Sequence, residues 1–275
     1  PSWAIRKTSA SSEPNIQGVA PKLVDKQRSP DVVEQIEPVE KNRITTNPAI
    51  TFYNRDDFGS ILNKEKFKIG VELGVQRGLF AETTLTDWHS CERYVLVDLW
   101  KKQDNYLDVA NHRDHSKFKM ETMRRMEPFK KKGVNIETCQ DFTSSCVGKY
   151  ADSTFDYIYI DARHDFKGVY MDMEQWWPKL RVGGIMAGHD YVTQDEGPQQ
   201  TGQDWTKNFD GTIDETRTVV KGAVNKFARE NNLIVNTGSG EDSGWPRKSP
   251  WPSWAVRKTS PSSEPNIQGV APKLV

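Results

Sequence analysis

Residues 71–78 read VELGVQRG, an apolar strand followed by a turn with two glycines and then by a helical stretch. A glycine turn lets a ligand approach the backbone closely, where the free N–H groups of a helix start can meet it. Twenty residues after Gly78, the strand-like run 94–97 ends in Asp98. A carboxylate at this position is placed to accept hydrogen bonds from both hydroxyls of a ribose. The pattern therefore predicts a site for a ligand that contains a nucleoside.

Around this stretch, apolar strand-like runs alternate with helical stretches from about residue 55 onward. The alternation is typical of an α/β, Rossmann-like fold, in which helices cover both faces of a mostly parallel sheet. Seven strands are predicted, at 68–73, 94–97, 134–138, 157–160, 184–187, 233–236 and 253–257. Five helices are predicted between them, at 55–64, 78–88, 116–132, 167–180 and 218–231.

The spacing of the glycines argues against one common use of this fold. A nicotinamide dinucleotide site shows G-x-G-x-x-G, so that the pyrophosphate lies on the helix N-terminus. The chain instead has an acidic residue, then Gly74, then Gly78, with no third glycine. A nicotinamide-dependent oxidoreductase therefore remains only as an alternative.

Three later motifs accompany the turn: FDYIYIDARH at 155–164, WWPKL at 176–180 and GHDY at 188–191. Together with a matching run from Trp100 to Asn111, this ordered set resembles the class I methyltransferases grouped with macrocin-type O-methyltransferases and cephalosporin-hydroxylase-like proteins. The resemblance covers roughly residues 45–258. It implies a seven-stranded sheet whose last strand is antiparallel, and transfer of a methyl group from S-adenosylmethionine (SAM) to an oxygen.

The resemblance also implies which residues bind SAM. Glu72, Gly74 and Gly78 are expected to contact the methionine part of SAM. Asp98 is expected to contact the ribose, and Asp141 and Phe142 the adenine. Two alternatives stay open at this point. Short glycine turns are often only turns, and Asp141 is equally suited to a turn or to the N-cap of a following helix.

Carboxylates end two neighbouring central strands of the predicted sheet, at Asp161 and Asp190. Their side chains are expected to converge near the transferred methyl group, where they suit Mg²⁺ or another divalent cation. In related metal-dependent O-methyltransferases such an ion lowers the pKa of a substrate hydroxyl. His164 is then expected to remove the proton as a neutral imidazole. The alternative makes both aspartates loop caps and His164 a packed or solvated side chain.

Residues 1–24 recur as residues 252–275 with two differences, Ile5 against Val256 and Ala10 against Pro261. The simplest interpretation is a tandem array of whole domains, covalently linked. The predicted organisation is then the tail of a preceding repeat plus a linker at 1–44, the methyltransferase domain at 45–258, and the start of the next linker at 259–275. A local duplication of a terminal peptide is the alternative, and an array also leaves room for repeats that bind or scaffold without turnover.

The two copies compete for one position in the sheet. Residues 252–258 are predicted to be the last strand of this domain, because 233–236 supplies a nearby antiparallel partner across a Gly-, Trp- and Pro-rich loop. Residues 1–7 are predicted to belong to the preceding copy.

The charge composition of the chain limits the kinds of molecule that it is expected to bind. The 38 basic and 38 acidic side chains cancel, so no overall field favours nucleic acid or a membrane surface, and a small-molecule acceptor is expected. The three cysteines form no spaced framework and are interpreted as reduced thiols, which favours the cytoplasm. Because the chain does not begin with Met, a targeting segment upstream stays open. The loop 191–216 is expected to be a lid or an insertion, with Trp205 and Phe209 available to an apolar or sugar-like acceptor.

Overall fold

The computed structural model describes residues 49–238 and 251–260, and a seven-stranded sheet organises them. The strands in chain order are β1 (Ile69–Leu73), β2 (Arg93–Val97), β3 (Asn135–Cys139), β4 (Phe155–Ile160), β5 (Leu180–Gly188), β6 (Asn236–Thr237) and β7 (Trp254–Arg257). Their order in the sheet is β3-β2-β1-β4-β5-β7-β6. All pairs among β1 to β5 are parallel, while β7 is antiparallel to both β5 and β6. The predicted fold class and the antiparallel last strand are therefore confirmed.

The strand order fixes where a ligand can bind. The chain passes from β1 outward to β2 and β3 and then returns to β4 on the other side of β1, so the topological switch point lies between β1 and β4. In open α/β sheets, ligands bind outside the carboxyl ends of the strands at such a point. The segments that follow β1, β4 and β5 are consequently the candidates for the site.

Within the described residues, six α-helices cover the sheet: α1 (Phe58–Lys64), α2 (Leu79–Asp87), α3 (His115–Lys131), α4 (Thr143–Cys146), α5 (Phe166–Trp176) and α6 (Val219–Glu230). Five of them agree with the predicted helices, except that the first predicted helix begins with a 3-10 turn at Arg55–Asp57. The four-residue α4 was not predicted, because one turn of helix is too short to show a 3.6-residue period. None of the described helices is long and apolar enough to cross a membrane.

Each face of the sheet carries its own apolar core. One contains Val71, Ile158 and Met186 with side chains of α5 and α6, and the other contains Tyr94 and Tyr159 with side chains of α1, α2 and α3. Near-continuous apolar sequence in the central strands follows from this burial on both faces. The two layers together hold the carboxyl ends of β1, β4 and β5 in fixed register.

The last strand is an integral part of this sheet, as predicted for residues 252–258. Trp254 and Val256 pack into one core and Ala255 into the other, all without exposed surface. The buried Lys258 ammonium donates to the carbonyl oxygens of Trp177 and Leu180, both at 2.8 Å. The partner strand β6 is shorter than predicted, since only Asn236 and Thr237 pair with β7. The predicted exclusion of residues 1–7, the boundary between 44 and 45, and residues 261–275 of the linker predicted at 259–275 lie outside the described residues.

Candidate active site

A cavity of about 1420 Å³ opens at the carboxyl ends of the central strands. Its wall is formed by the turn after β1 and by the segments after β2, β3 and β4. Most of the predicted site residues line it, namely Glu72, Gly74, Asp98, Asp141, Phe142, Asp161 and His164. The structure thus brings all the predicted cofactor residues except Gly78 to one cavity, together with Asp161 and His164 but not Asp190.

The glycine turn is required by close packing as well as by access to a ligand. Gly74 has φ +86°, and a Cβ there would lie 2.0 Å from the carbonyl oxygen of Asp161. Gly78 has φ +70° and packs against α3, where a Cβ would lie 2.9 Å from a methyl carbon of Thr122. Gly74 therefore lets the ends of β1 and β4 approach each other beside the cavity, whereas Gly78 seats the start of α2 on α3.

Asp98 organises the same turn. Its Oδ2 accepts from the backbone N–H groups of Val75 (2.8 Å) and Gln76 (2.7 Å), and its Oδ1 accepts from the N–H of Trp100 (2.6 Å). A carboxylate offers about four acceptor positions, so one on Oδ1 remains for a ribose hydroxyl. The structure therefore leaves Asp98 room for one ribose hydroxyl instead of the two expected from the sequence, and its role in binding ribose stays a prediction.

The variant Asp98→Ala is expected to weaken SAM binding by roughly 1–3 kcal/mol, because a ribose hydroxyl loses a charged acceptor and the turn loses the group that fixes it. Isothermal titration with S-adenosylhomocysteine (SAH) measures the change. Asp87→Ala, at the last residue of α2, is the control. A dissociation constant that stays the same in Asp98→Ala would place the ribose elsewhere.

Glu72 lies at the floor of the cavity. Burial raises the pKa of Glu72 well above its ordinary value, even though the Tyr94 hydroxyl donates to it at 3.1 Å. A carboxyl group with a raised pKa is able to donate a hydrogen bond as well as to accept one. Its predicted contact with the methionine part of SAM remains a prediction.

The predicted adenine residues lie in a loop that a disulfide closes. Asp141 and Phe142 both line the cavity, and the Phe142 ring is half-exposed. Phe142 itself is the N-cap residue of α4 and Asp141 precedes it, so the N-cap alternative for Asp141 is wrong. Cys139 and Cys146, seven residues apart, are joined across this loop with their Cα atoms 6.1 Å apart.

This disulfide corrects the interpretation of all three cysteines as reduced thiols. The unpredicted turn of α4 folds the chain back after β3, and that return brings Cys146 next to Cys139. Of the three, only Cys91 is free. A bridge over so short a loop leaves no spacing pattern that sequence reasoning could have recognised.

Replacing both Cys139 and Cys146 by serine is expected to lower the free energy of unfolding by roughly 2–3 kcal/mol, the chain-entropy value for a loop of this length. Chemical denaturation with and without dithiothreitol measures the loss. The wild type should become less stable when the reductant is added, while the double variant should not respond. Titration of three free thiols in the untreated, unfolded wild type would contradict the disulfide.

Near this loop, Asp172 of α5 is a cavity residue that sequence reasoning missed. Burial raises the pKa of Asp172 to about 7, and the Thr143 hydroxyl donates to it at 2.5 Å. The carboxyl group is therefore about half protonated near neutral pH. Its position on the buried face of an amphipathic helix gave no sequence signal, because a single acidic residue among apolar ones is ambiguous.

His164 is surrounded by carboxylates. Its Nε2 lies 3.2 Å from Asp161 Oδ1 and 3.2 Å from Asp190 Oδ2. On the opposite edge of the ring, Nδ1 lies 2.9 Å from Asp108 Oδ2. Asp190 follows β5 with φ +56°, a left-handed conformation that is costly for a residue other than glycine. The predicted convergence of Asp161, His164 and Asp190 is therefore present in the structure.

The surroundings of His164 favour its charged form. Burial by itself lowers the pKa of His164, but hydrogen bonds to Asp108 and Asp161 and the charge of Asp190 outweigh it and raise the pKa well above the ordinary value. A general base must be neutral to accept a proton. The role of His164 as a neutral general base stays a prediction.

The three residues form a set that could hold a cation. One donor atom each from Asp161, His164 and Asp190 lies within 4.8 Å of the others, the only such group found in the described ranges. An imidazole nitrogen beside two carboxylates suits first-row divalent ions such as Mn²⁺ better than Mg²⁺, which prefers oxygen ligands alone. Arg55, which sequence reasoning also missed, lies 3.4 Å from the far oxygen of Asp161.

The loop 191–216 forms hydrogen bonds with the segment after β2. Asn105 Nδ2 donates to the carbonyl oxygens of Asn208 and Phe209, both at 3.1 Å. Trp205 is only 2% exposed and its ring centroid lies 4.4 Å from that of His164, so the prediction that Trp205 meets the acceptor is wrong. Phe209 is 41% exposed and lines the cavity, where contact with an acceptor stays a prediction.

Several proteins of known structure resemble this fold. No curated protein matches the chain. Solved structures with a similar fold include an O-methyltransferase from Bacillus cereus in complex with SAH (14% identity, 76% of this chain and 82% of that chain covered, TM-score 0.48). A second is the O-methyltransferase TomG from Streptomyces achromogenes in complex with SAM (9% identity, 77% of this chain and 82% of that chain covered, TM-score 0.49). A third is the N-methyltransferase NodS from Bradyrhizobium japonicum (14% identity, 75% of this chain and 95% of that chain covered, TM-score 0.43). Both O- and N-methyltransferases occur among them, and none identifies the acceptor of this chain.

A family model described as a methyltransferase domain matches residues 71–191, a range that begins in β1 and ends just after β5. This range contains the glycine turn, Asp98, the loop of Asp141 and Phe142, and the cluster of Asp161, His164 and Asp190. The match leaves no support for the nicotinamide alternative. The chain therefore contains a methyltransferase domain and is a SAM-dependent methyltransferase of the class I type.

Proposed function

We propose that this enzyme methylates a hydroxyl oxygen of a small molecule with the help of a divalent cation held by Asp161, His164 and Asp190. The observation that carries the proposal is the cluster itself, in which two carboxylates and an imidazole converge beside the cavity. A cation bound there supplies Lewis acidity, which lowers the pKa of an acceptor hydroxyl. Asp141, Phe142, Asp98 and the glycine turn hold the cofactor on the other side of the cavity.

The residues of the chain then have separate tasks. Asp161 is the member of the cluster that both lines the cavity and faces Arg55, so its carboxylate orients the acceptor hydroxyl. In the transfer step, the C–S bond of SAM breaks, the new C–O bond forms, sulfur keeps the electron pair as SAH, and the hydroxyl gives up its proton to water. Such a displacement gains most of its rate from holding the two reactants in line. His164 acts as a ligand in this scheme, in place of the general base expected from the sequence.

The acceptor side of the cavity supports a small, partly apolar molecule. Phe209 and Val109 expose apolar surface there, next to the polar side chains of Asn105 and Gln103. The cavity is large enough for SAM together with a second small molecule, which fits the expected acceptor class. We also retain the proposal that this domain is one unit of a tandem array, supported by the near-identity of residues 1–24 and 252–275.

The experiment is a transfer assay with methyl-labelled SAM and a panel of hydroxylated acceptors, among them catechols, phenols and sugars. Each is measured with added Mn²⁺, with Mg²⁺ and with excess chelator. The proposal expects labelled ether product, stimulation by Mn²⁺ above Mg²⁺, and loss of activity with chelator. Methyl transfer only to amines or thiols, or full activity in chelator, would contradict it.

A further inference from the structure

We propose that Asp108 is a positioning residue that orients His164 for metal binding by accepting the Nδ1 proton of its imidazole. The inference rests on the metal assistance proposed above and adds a residue outside the ligand set. Asp108 comes from the loop between β2 and α3, inside the run 100–111 that resembles the methyltransferases, but the resemblance assigns it no role.

The Asp108 carboxylate is fixed before it meets the histidine. The residue is 3% exposed, and its Oδ1 accepts from the backbone N–H of Ala110 at 2.6 Å. This bond caps the 3-10 turn at Val109–His112. Its other oxygen, Oδ2, is thereby aimed at His164 Nδ1, 2.9 Å away. Oδ1 therefore caps the turn, and Oδ2 contacts the imidazole.

The hydrogen bond decides which ring nitrogen is free. An imidazole that gives its Nδ1 proton to a carboxylate presents Nε2 as the nitrogen that can bind a metal. In this structure Nε2 faces Asp161 and Asp190, the two other members of the cluster. Asp108 lies on the opposite edge of the ring and therefore cannot share the metal with Nε2. Histidine residues that bind a metal through one ring nitrogen commonly donate the N–H of the other nitrogen to a carboxylate in this way.

Two further contacts hold the imidazole in this orientation. The Trp205 ring covers it with centroids 4.4 Å apart. The Tyr106 hydroxyl lies 3.0 Å from Nδ1 and donates to the carbonyl oxygen of Ala162 at 3.2 Å. The ring therefore has little freedom to rotate and exchange its two nitrogens.

The loop that carries Asp108 is tied to the segment that carries His164. Arg163, directly before His164, donates to Gln103 Oε1 and to the carbonyl oxygen of Asn105, both at 3.0 Å. Asn111 Nδ2 closes the loop by donating to the carbonyl oxygens of Gln103 and Tyr106. These bonds set the distance between Asp108 and His164 independently of any bound cation.

The test is Mn²⁺ affinity, measured by electron paramagnetic resonance of the free ion, for the wild type, Asp108→Ala and Asp108→Asn. We expect roughly 10–100-fold weaker Mn²⁺ binding for Asp108→Ala, the usual effect of losing such a partner. Asp108→Asn should also bind Mn²⁺ more weakly, because its single amide oxygen stays with the Ala110 N–H and its NH2 group then faces Nδ1, where no acceptor for the Nδ1 proton remains. SAH affinity should be the same in all three proteins.

The control is Asp114→Ala, which removes a comparable N-cap bond, to the N–H of Lys117 at 3.0 Å, from α3 without touching the cluster. It should bind Mn²⁺ as the wild type does. If the wild type and Asp108→Ala bind Mn²⁺ equally well, the role of Asp108 is wrong while the metal proposal stands. If the wild type binds SAH but no Mn²⁺, the proposal of metal assistance and the proposed role of Asp108 are both wrong. Asp108→Asn keeps the N-cap acceptor and serves as the test if the alanine variant does not fold.

Discussion

Asp161→Asn and Asp190→Asn are each expected to lower the rate of methyl transfer by about 100-fold or more. Both carboxylates lie 3.2 Å from His164 Nε2, and replacing either one removes a charged donor from the proposed cation site. Activation of a hydroxyl by a bound cation contributes several kcal/mol, and each 1.36 kcal/mol corresponds to about a factor of ten in rate. Binding of SAH should change little, because neither side chain belongs to the predicted cofactor contacts.

The measurement compares methyl transfer to the best acceptor of the panel, with and without added Mn²⁺. Asp195→Asn serves as the control, since Asp195 is an exposed residue paired with Arg217. The control should keep the rate and the metal dependence of the wild type. Cluster variants that retain both would show that Asp161 and Asp190 are only loop residues, as the alternative interpretation of the sequence allows.

Deleting residues 252–275 is expected to abolish cooperative folding or to lower the melting temperature drastically. The deletion removes β7, and with it Trp254, whose complete loss from a core by itself costs about 3–5 kcal/mol. It also exposes the pairing edge of β5 and leaves the carbonyl oxygens of Trp177 and Leu180 without the Lys258 ammonium. The sum is comparable with the whole stability of a domain, about 5–15 kcal/mol.

Deleting residues 1–24, the near-identical copy, is the matched control for this experiment. It should leave the melting temperature almost unchanged, because β7 is already supplied by residues 254–257. A loss of stability as large as that of the C-terminal deletion would contradict the assignment. It would indicate that the N-terminal copy occupies the sheet position and that neighbouring repeats exchange strands.

The sequence predicted the sheet well because its central strands are buried on both faces. The run Phe155–Ile160 is apolar or aromatic except for Asp156, and a strand covered by helices on both sides needs that composition. The prediction was wrong where an element is too short to carry a period. Strand β6 has two paired residues and α4 has four, so packing and not periodicity determines their limits.

The same distinction holds for the site. Asp161 and Asp190 follow strands directly, so the parallel sheet brings them together and their convergence could be predicted. Asp108 and Arg55 come from a loop and from a 3-10 turn, whose positions depend on tertiary hydrogen bonds that no local pattern reveals. The raised pKa of His164 could not be predicted either, because it results from Asp108 on one edge of the ring and two other carboxylates on the opposite edge.

The most direct test of the central account is isothermal titration of the wild-type protein with SAH, because a class I methyltransferase site must bind the product form of its cofactor. We expect saturable binding at one site per chain, weakened in Asp98→Ala and unchanged in Asp161→Asn. Absence of binding at high micromolar SAH, with the protein shown to be folded, would contradict the assignment of this cavity to SAM.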